Sequence, residues 1–366
     1  MSNILICPLD WGMGHATRVQ QVAAFFHAAG HKVIIAASPA YLDSFGSSVC
    51  SLKVPFRSLR IRYSSFLPLF IFILLQSPLL AVQFFIDLVK VAYMVRKYDV
   101  DIVISDNRFG AFSTRARSVY ITHQLQVLSP FRNYRPAPVL TFVHRVIASL
   151  YNEIWVPDIS SCLSGKLTKP CGKPSKFYEI GALSMLHLYS PEEPPSFPEG
   201  DYIAVLISGP EPQRSILQEI LLRKFENQEK QYVFAGGNIR GDREVKKYKN
   251  ITLYSYLSPP HTRFLLERSR GIICRAGYST IMDLVRLGKS ALLVPTPGQT
   301  EQEYLAHYLG EKGLFTSVKQ SQIKLLNPGP LPEKLNTGSY LEEGDKKFRE
   351  TLSNLLKRSS SLKKQV

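Results

Sequence analysis

Four short stretches of the 366-residue chain place glycine beside side chains that can move a proton or hold an anion. The first is Gly12-Met13-Gly14-His15, just after the apolar run Ile4-Leu5-Ile6-Cys7 and at the start of a helical periodicity. Glycines here let a ligand approach the backbone closely, and a helix N-terminus favours negative charge. The third glycine of a dinucleotide fingerprint is missing, so NAD binding is poorly supported. His15 is placed to act as a general base at the mouth of the first strand; a structural or helix-capping histidine is the competing reading.

The second stretch, Cys274-Arg275-Ala276-Gly277-Tyr278-Ser279-Thr280-Ile281-Met282-Asp283, runs from a strand through a tight turn into a helix. Gly277 permits close approach, and Ser279 and Thr280 can cap the helix while donating to a diphosphate. Asp283 lies one turn on, where it can accept from both hydroxyls of a ribose or simply complement the helix dipole. The third, Pro295 to Glu303, offers the Gln302 amide and the Glu303 carboxylate for sugar hydroxyls. The fourth, Ser208-Gly209-Pro210-Glu211-Pro212-Gln213-Arg214, can cradle a phosphate through backbone N–H groups, with Arg214 assisting.

The elements needed to hold these loops alternate between strand and helix. A strand, a helix from about Ala16 closed by Gly30, and a second strand Val33–Ala37 form a βαβ unit. Further strands are expected at Ile102–Ile104, Val119–Ile121 and Ile154–Val156. The proline-rich stretch Ser190–Pro198 reads as a linker. A second series follows: strands at Tyr202–Ile207, Tyr232–Ala235, Ile251–Tyr254, Gly271–Cys274 and Ala291–Val294, with helices near Ser215–Phe225 and Ser279–Leu287. The fold class is therefore α/β, two doubly wound Rossmann-like domains facing a cleft. Residues 1–190 form the first domain, which carries the apolar insertion, 200–340 the second, and 341–366 a helix with Phe348, Leu352, Leu355 and Leu356 on one face, followed by a frayed basic tail.

Composition narrows the partners. Hydrophobic residues are 45% and charged residues 20%, which excludes a disordered or low-complexity protein. Lys plus Arg number 45 against 29 Asp plus Glu, a net charge of +16 that implies an anionic partner. No zinc finger, aromatic RNA-binding motif or helix-turn-helix signature accompanies the charge, so nucleic acid is not expected. The five cysteines form no C-x-x-C pair, which argues against a zinc site or disulfide framework and suits a reducing compartment. The N-terminus lacks a signal-peptide pattern, and the expected location is cytoplasmic. Asp99-Val100-Asp101 has the spacing of a metal-binding D-x-D, but it precedes a strand at its amino end, the wrong end for a ligand; no metal is expected.

Between Arg62 and Asp87 no residue is charged. This apolar insertion near 63–95 is long enough to span a bilayer, although Pro68 and Pro78 interrupt it. It can alternatively be buried on the sheet, or lie in the membrane interface. The bases Arg57, Arg60, Arg62, Lys90, Arg96 and Lys97 flank it, as binding to an anionic leaflet requires, and favour the interfacial reading.

The order and positions of these motifs resemble the GT-B glycosyltransferases, and among them the family 28 group, which includes the MurG-type peptidoglycan N-acetylglucosaminyltransferases. The resemblance is clearest over residues 271–306, where R-A-G-Y-S-T-I-M-D-L-V-R-L-G-K-S-A-L-L-V-P-T-P is close to the donor signature. Residues 3–18 match the first glycine loop, and 202–214 fall where a second belongs. The resemblance implies a cofactor-free, metal-independent, inverting transfer of a sugar, N-acetylhexosamine or hexose, from a UDP-sugar to a lipid or lipid-linked acceptor on the inner face of the plasma membrane. His15 would be the base. Gly12, Gly14, Ser208, Gly209, Arg214, Arg275, Gly277, Ser279 and Thr280 would belong to the donor loops, Asp283 would hold the ribose, and Gln302 with Glu303 the sugar. The main chain at Tyr256 and Leu257 would meet the nucleobase. Asp106, Asn107, Arg108 and His123, in loops at strand ends, would face the acceptor. Three departures bear on the donor. The family usually has Glu where Asp283 stands and Gln where Glu303 stands, and Ser-Gly-Pro-Glu-Pro replaces a Gly-Gly-Ser pattern. The alternatives are a UDP-sugar 2-epimerase of the same fold, or a non-catalytic sugar-nucleotide-binding membrane scaffold.

Overall fold

Strand β1 (Asn3–Pro8) is apolar and buried from Ile4 onward, so it can only sit at the centre of a sheet covered on both faces. The computed structural model describes residues 1–10, 12–58, 75–129, 134–169, 176–238, 243–325 and 334–363. These fall into two units: one built from the chain up to Leu183 together with the segment from Gly338 onward, the other containing Ser184–Thr337.

In the first unit, helix α1 (Met13–Ala28), strand β2 (Lys32–Ala37), the short helix α2 (Pro39–Leu42) and strand β3 (Leu52–Pro55) follow β1. Then come α3 (Ser77–Lys97), β4 (Ile102–Asp106), β5 (Arg117–Ile121), α4 (Pro138–Ser149), β6 (Glu153–Val156) and β7 (Phe177–Glu179). The seven strands pair in the order β3-β2-β1-β4-β5-β6-β7, every pair parallel. The order reverses beside β1, which places a crevice at the carboxyl ends of β1 and β4. Their register sets Pro8 opposite Asp106.

Helix α3 buries Val91, Met94 and Val95 on the sheet, in a cluster with Leu5, Cys7, Ile34 and Val103. Its opposite face leaves Leu79, Val82, Phe85, Val89 and Tyr93 between 52% and 69% exposed. It is thus neither a fully buried core helix nor an isolated apolar rod, though by length and mean hydropathy of 1.7 it could cross a membrane. The rest of the expected insertion, with Arg60, Arg62 and Pro68, lies outside the described residues.

The second unit contains β8 (Tyr202–Ile207), α5 (Gln213–Phe225), β9 (Gln231–Gly236), β10 (Val245–Lys247), β11 (Ile251–Tyr254), α6 (Pro259–Arg268) and β12 (Gly271–Cys274). Helix α7 (Tyr278–Arg286), β13 (Leu292–Leu293), α8 (Thr300–Glu311) and β14 (Thr316–Ser317) complete it. Its sheet runs β10-β11-β9-β8-β12-β13-β14, parallel except for the β10 edge. The proline-rich stretch packs onto this unit instead of hanging free: Phe197 makes ring contacts with Tyr202, Tyr254 and Phe264, and the Tyr254 hydroxyl donates to Pro195 O at 3.0 Å.

The final helix, α9 (Gly338–Lys363), belongs to the first unit. Phe348 packs edge-on against Phe25 of α1, and Lys347 pairs with Glu179 at 2.7 Å. The basic run from Lys357, expected to fray, continues this helix through Lys363, and Arg358 donates to the buried Glu153 at 3.1 Å.

Candidate active site

The first unit gathers its titratable groups where β1 and β4 end. Gly12 is extended, and among the described residues no atom outside its chain neighbours comes within 4 Å of where a side chain would start. Gly14 and His15 lie in the first turn of α1, with the Gly14 carbonyl accepting from Thr17 Oγ1 at 3.1 Å. His15 Nδ1 stands 3.1 Å from Asp106 Oδ2. Arg18, on the same helical face, donates from Nε to Asp106 Oδ2 at 2.7 Å and pairs through Nη2 with Oδ1. Arg18 Nη2 also lies 2.9 Å from His15 Nδ1, and Nη1 lies 3.1 Å from His123 Nδ1.

In the tautomer whose Nδ1–H donates to the carboxylate, the Nε2 lone pair of His15 is left to take a proton; in the other, Nδ1 accepts from Arg18 and Nε2 carries the hydrogen. The imidazole is 19% exposed while Asp106 is fully buried, so the ring can be reached and its partner cannot. Burial lowers the His15 pKa, Asp106 opposes this, and Arg18 lowers it further; the net result is below the ordinary value. Burial alone would raise the Asp106 carboxyl, but Arg18 and then His15 outweigh it and hold it below the usual range.

Asn107 adopts φ +52°, and its Oδ1 accepts from the Tyr120 hydroxyl at 3.1 Å. Arg108 does not turn to a ligand. It is 1% exposed, binds Asp87 through two hydrogen bonds of 2.9 Å, donates to Phe56 O at 3.1 Å and stacks 3.4 Å from the Phe56 ring. Together with Gly110, where any Cβ would fall 2.2 Å from Phe84 O, it clamps the β4–β5 loop to α3. Asp101 of the D-x-D accepts from the Asn3 backbone at 2.9 Å, a contact at the amino end of the sheet.

The second unit places its loops at the carboxyl ends of β8, β12 and β13. Gly277 precedes α7, with Ser279 and Thr280 in the helix's first turn and partly exposed. Among the described residues, and apart from its chain neighbours, the nearest atom to a Cβ on Gly277 would be Thr280 Oγ1 at 3.9 Å, so the backbone there leaves room for close approach. Asp283 accepts from the Ser184 hydroxyl, and burial pushes its carboxyl up to about 7, opposed by that hydrogen bond. Arg275 is 1% exposed and donates to Gln213 O at 2.8 Å, Val294 O at 3.2 Å and Pro295 O at 3.3 Å. It ties three loops together, and burial lowers its pKa to about 10. Its Nε is buried without a partner, and no carboxylate pairs with it among the described residues.

Several expected ligand contacts are engaged within the chain instead. Arg214 bridges Glu211, at 2.9 Å from Nε, and the Gly237 carbonyl, at 2.9 Å from Nη1. Gln302 Oε1 accepts from Thr296 N and Glu303 Oε1 from Gly298 N, each at 2.9 Å, so this pair shapes the loop after β13. Gly209, following Ser208, has φ +106°, a conformation that requires glycine. Tyr256 and Leu257 follow β11; Arg243 lies over the Tyr256 ring at 5.7 Å, and Leu257 is buried. Arg18, which sequence reasoning passed over, had a signal: a cation three residues from His15, on the same helical face.

Residues 206–366 match the glycosyltransferase family 28 C-terminal domain. Over 137 residues the chain is 29% identical to the UDP-N-acetylglucosamine--N-acetylmuramyl-(pentapeptide) pyrophosphoryl-undecaprenol N-acetylglucosamine transferase of Buchnera aphidicola subsp. Schizaphis graminum. That stretch is 34% of this chain and 39% of the relative, so the chain spans about two fifths of the length of the curated relative it matches. Among solved structures, the glycotransferase of kitacinnamycin has a TM-score of 0.64 at 14% identity, covering 98% of this chain and 99% of that one. The glycosyltransferase VinC in complex with dTDP gives 0.58 at 15%, covering 98% and 100%. MurG of Acinetobacter baumannii gives 0.55 at 14%, covering 98% and 100%. At such identities the likeness is one of fold: the chain has the α/β architecture of the GT-B glycosyltransferases.

Proposed function

We propose that this chain, whose residues 206–366 belong to the glycosyltransferase family 28 C-terminal domain, is an inverting glycosyltransferase that moves a sugar from a UDP-sugar to a hydroxyl of a lipid or lipid-linked acceptor at a membrane surface. The observation that carries this reading is the pair made by His15 and the buried Asp106.

The acceptor hydroxyl gives its proton to His15 Nε2 as its oxygen attacks the anomeric carbon. The bond from that carbon to the diphosphate oxygen breaks, and both electrons leave with the nucleoside diphosphate. Asp106 keeps the ring in the tautomer with Nε2 free and stabilises the imidazolium that forms. Negative charge growing on the leaving diphosphate meets the first-turn N–H groups of α7, its Ser279 and Thr280 hydroxyls, and the Arg275 charge beneath them. Asp283 accepts from the ribose, the main chain after β11 borders the base, and the loop shaped by Gln302 and Glu303 borders the sugar.

The membrane side of the reading is supported by α3, with its exposed apolar face, and by the basic excess of the chain. The expected location is the cytoplasmic side of the membrane. The name of the Buchnera relative, which transfers N-acetylglucosamine to a pyrophosphoryl-undecaprenol, supports a UDP-N-acetylhexosamine donor and a lipid-linked acceptor. The test is release of UDP, GDP or dTDP across a panel of sugar nucleotides, with lipid extract as acceptor. Acceptor-dependent UDP release upholds the reading. Release that is independent of acceptor, with isomerised sugar as product, replaces it with a 2-epimerase.

A further inference from the structure

We propose that α4 is a second membrane-docking helix and that its docking sets the geometry of the His15–Asp106 pair. The inference rests on the membrane reading above, and it adds a contact and a consequence. The outer face of α4 carries Val139, Phe142, Val143, Val146 and Leu150, exposed by 74%, 66%, 48%, 49% and 45%. Their spacing makes one continuous apolar stripe where a solvated helix would carry polar groups. No acidic residue occurs from Tyr134 to Asn152, whereas Arg135 and Arg145 are both exposed. An apolar stripe with cations and no anions around it complements an anionic bilayer surface.

The inner face of the same helix is Thr141, His144 and Ala148. Through it α4 grips both loops that carry the acceptor-side residues. His144 Nε2 is 2.9 Å from the Tyr120 hydroxyl, which donates to Asn107 Oδ1 at 3.1 Å. Asn107 is the neighbour of Asp106 and is held at a positive φ that few non-glycine residues adopt. On the other loop, Val127 N donates to Thr141 Oγ1 at 3.2 Å and Ala137 N to Val127 O at 2.8 Å. That loop includes His123, which meets Arg18. A helix seated on lipid therefore holds, through His144 and Tyr120, the turn that aims the Asp106 carboxylate. His144 and Tyr120 are positioning residues, acting through Asn107.

The test is hydrogen exchange read by mass spectrometry on the full chain, with vesicles of phosphatidylglycerol and phosphatidylcholine or of phosphatidylcholine alone. With anionic vesicles, exchange should slow on the order of tenfold across residues 139–150 and also across 105–112. Val146→Asp should abolish both effects. Tyr120→Phe keeps the ring and removes the hydroxyl; it should keep vesicle flotation and protection of 139–150 while losing the change at 105–112. A purely structural hydroxyl would alter exchange equally with and without vesicles. Unchanged exchange at 139–150 while the protein floats overturns the proposal, as does a full response at 105–112 in Tyr120→Phe. If the wild-type chain floats with neither vesicle, the membrane reading itself fails and this inference with it, while sugar transfer is judged by its own assay.

Discussion

His15 and Asp106 are 91 positions apart in the chain, yet His15 Nδ1 and Asp106 Oδ2 lie 3.1 Å apart because β1 and β4 are adjacent parallel strands that end together. The helix after one strand supplies the ring, and the last residue of the other supplies the carboxylate. Arg18 then neutralises the carboxylate from within the protein, leaving the imidazole as the member of the cluster that can be reached.

Asp106→Asn preserves the shape of this arrangement and removes its charge. The imidazolium loses its stabilising anion and the ring loses its tautomer control, so turnover should drop by about 10²–10⁴-fold. Donor affinity, measured by calorimetry with UDP, should stay within about twofold, because Asp106 lies in the other unit from the α7 loop.

The pH profile follows from the lowered His15 pKa. A base must be unprotonated to act, so activity is complete at neutral pH and is lost as pH falls through the folded-state pKa. The acid limb of kcat, read at saturating donor so that the Asp283 titration in donor binding does not enter, should therefore lie below the ordinary histidine value of about 6.5. In Asp106→Asn the limb should move lower still, since the group opposing the depression is gone. A limb above 6.5 in the wild type would assign the titration to another group.

Asp283 leads to the opposite pH dependence in donor binding. Its carboxyl, pushed up to about 7, is ionised only at the alkaline end of the working range. If it accepts from the ribose hydroxyls, UDP should bind more tightly at pH 8 than at pH 6. The same shift makes ionisation oppose folding as pH rises from about 4 through 7, because the folded state holds the proton more firmly than the unfolded one. Asp283→Asn should accordingly weaken UDP binding, flatten its pH dependence, and raise the melting temperature at pH 8 more than at pH 5.

Arg108 contributes to stability where the sequence suggested recognition. Arg108→Ala leaves the buried Asp87 carboxylate without its cation and should cost about 3–5 kcal/mol in urea unfolding. The double variant Arg108→Ala, Asp87→Ala should recover part of that loss. A loss in the double variant equal to the sum of the two single-variant losses would mean that the pairing itself contributes little.

The apolar runs made most of the fold legible. Ile4–Cys7, Val33–Ala37, Ile102–Ile104, Tyr202–Ile207 and Gly271–Cys274 are strands, as their shortness, β-branched content and bounding turns favoured over a buried helix segment. The missed strands, Leu52–Pro55, Phe177–Glu179, Val245–Lys247 and Thr316–Ser317, are two to four residues long, lie at the sheet edges and bury none of their residues fully, so no buried apolar run marks them. The helix of Val139, Phe142, Val143 and Val146 shows helical spacing in the sequence and was passed over. At the site, glycine loops at strand–helix junctions were readable from local order. What local order cannot show is the partner of each side chain: Asp106 for His15, Asp87 for Arg108, Gly237 for Arg214 and Thr296 for Gln302 are set by tertiary register.

The central claim is that the His15 imidazole takes the proton from the acceptor. It is met most directly by acceptor-dependent UDP release from a UDP-sugar, wild type against His15→Ala, with UDP affinity measured on the same samples. The account predicts turnover reduced by about 10³-fold or more with UDP affinity unchanged. Turnover in His15→Ala within about threefold of wild type would contradict it.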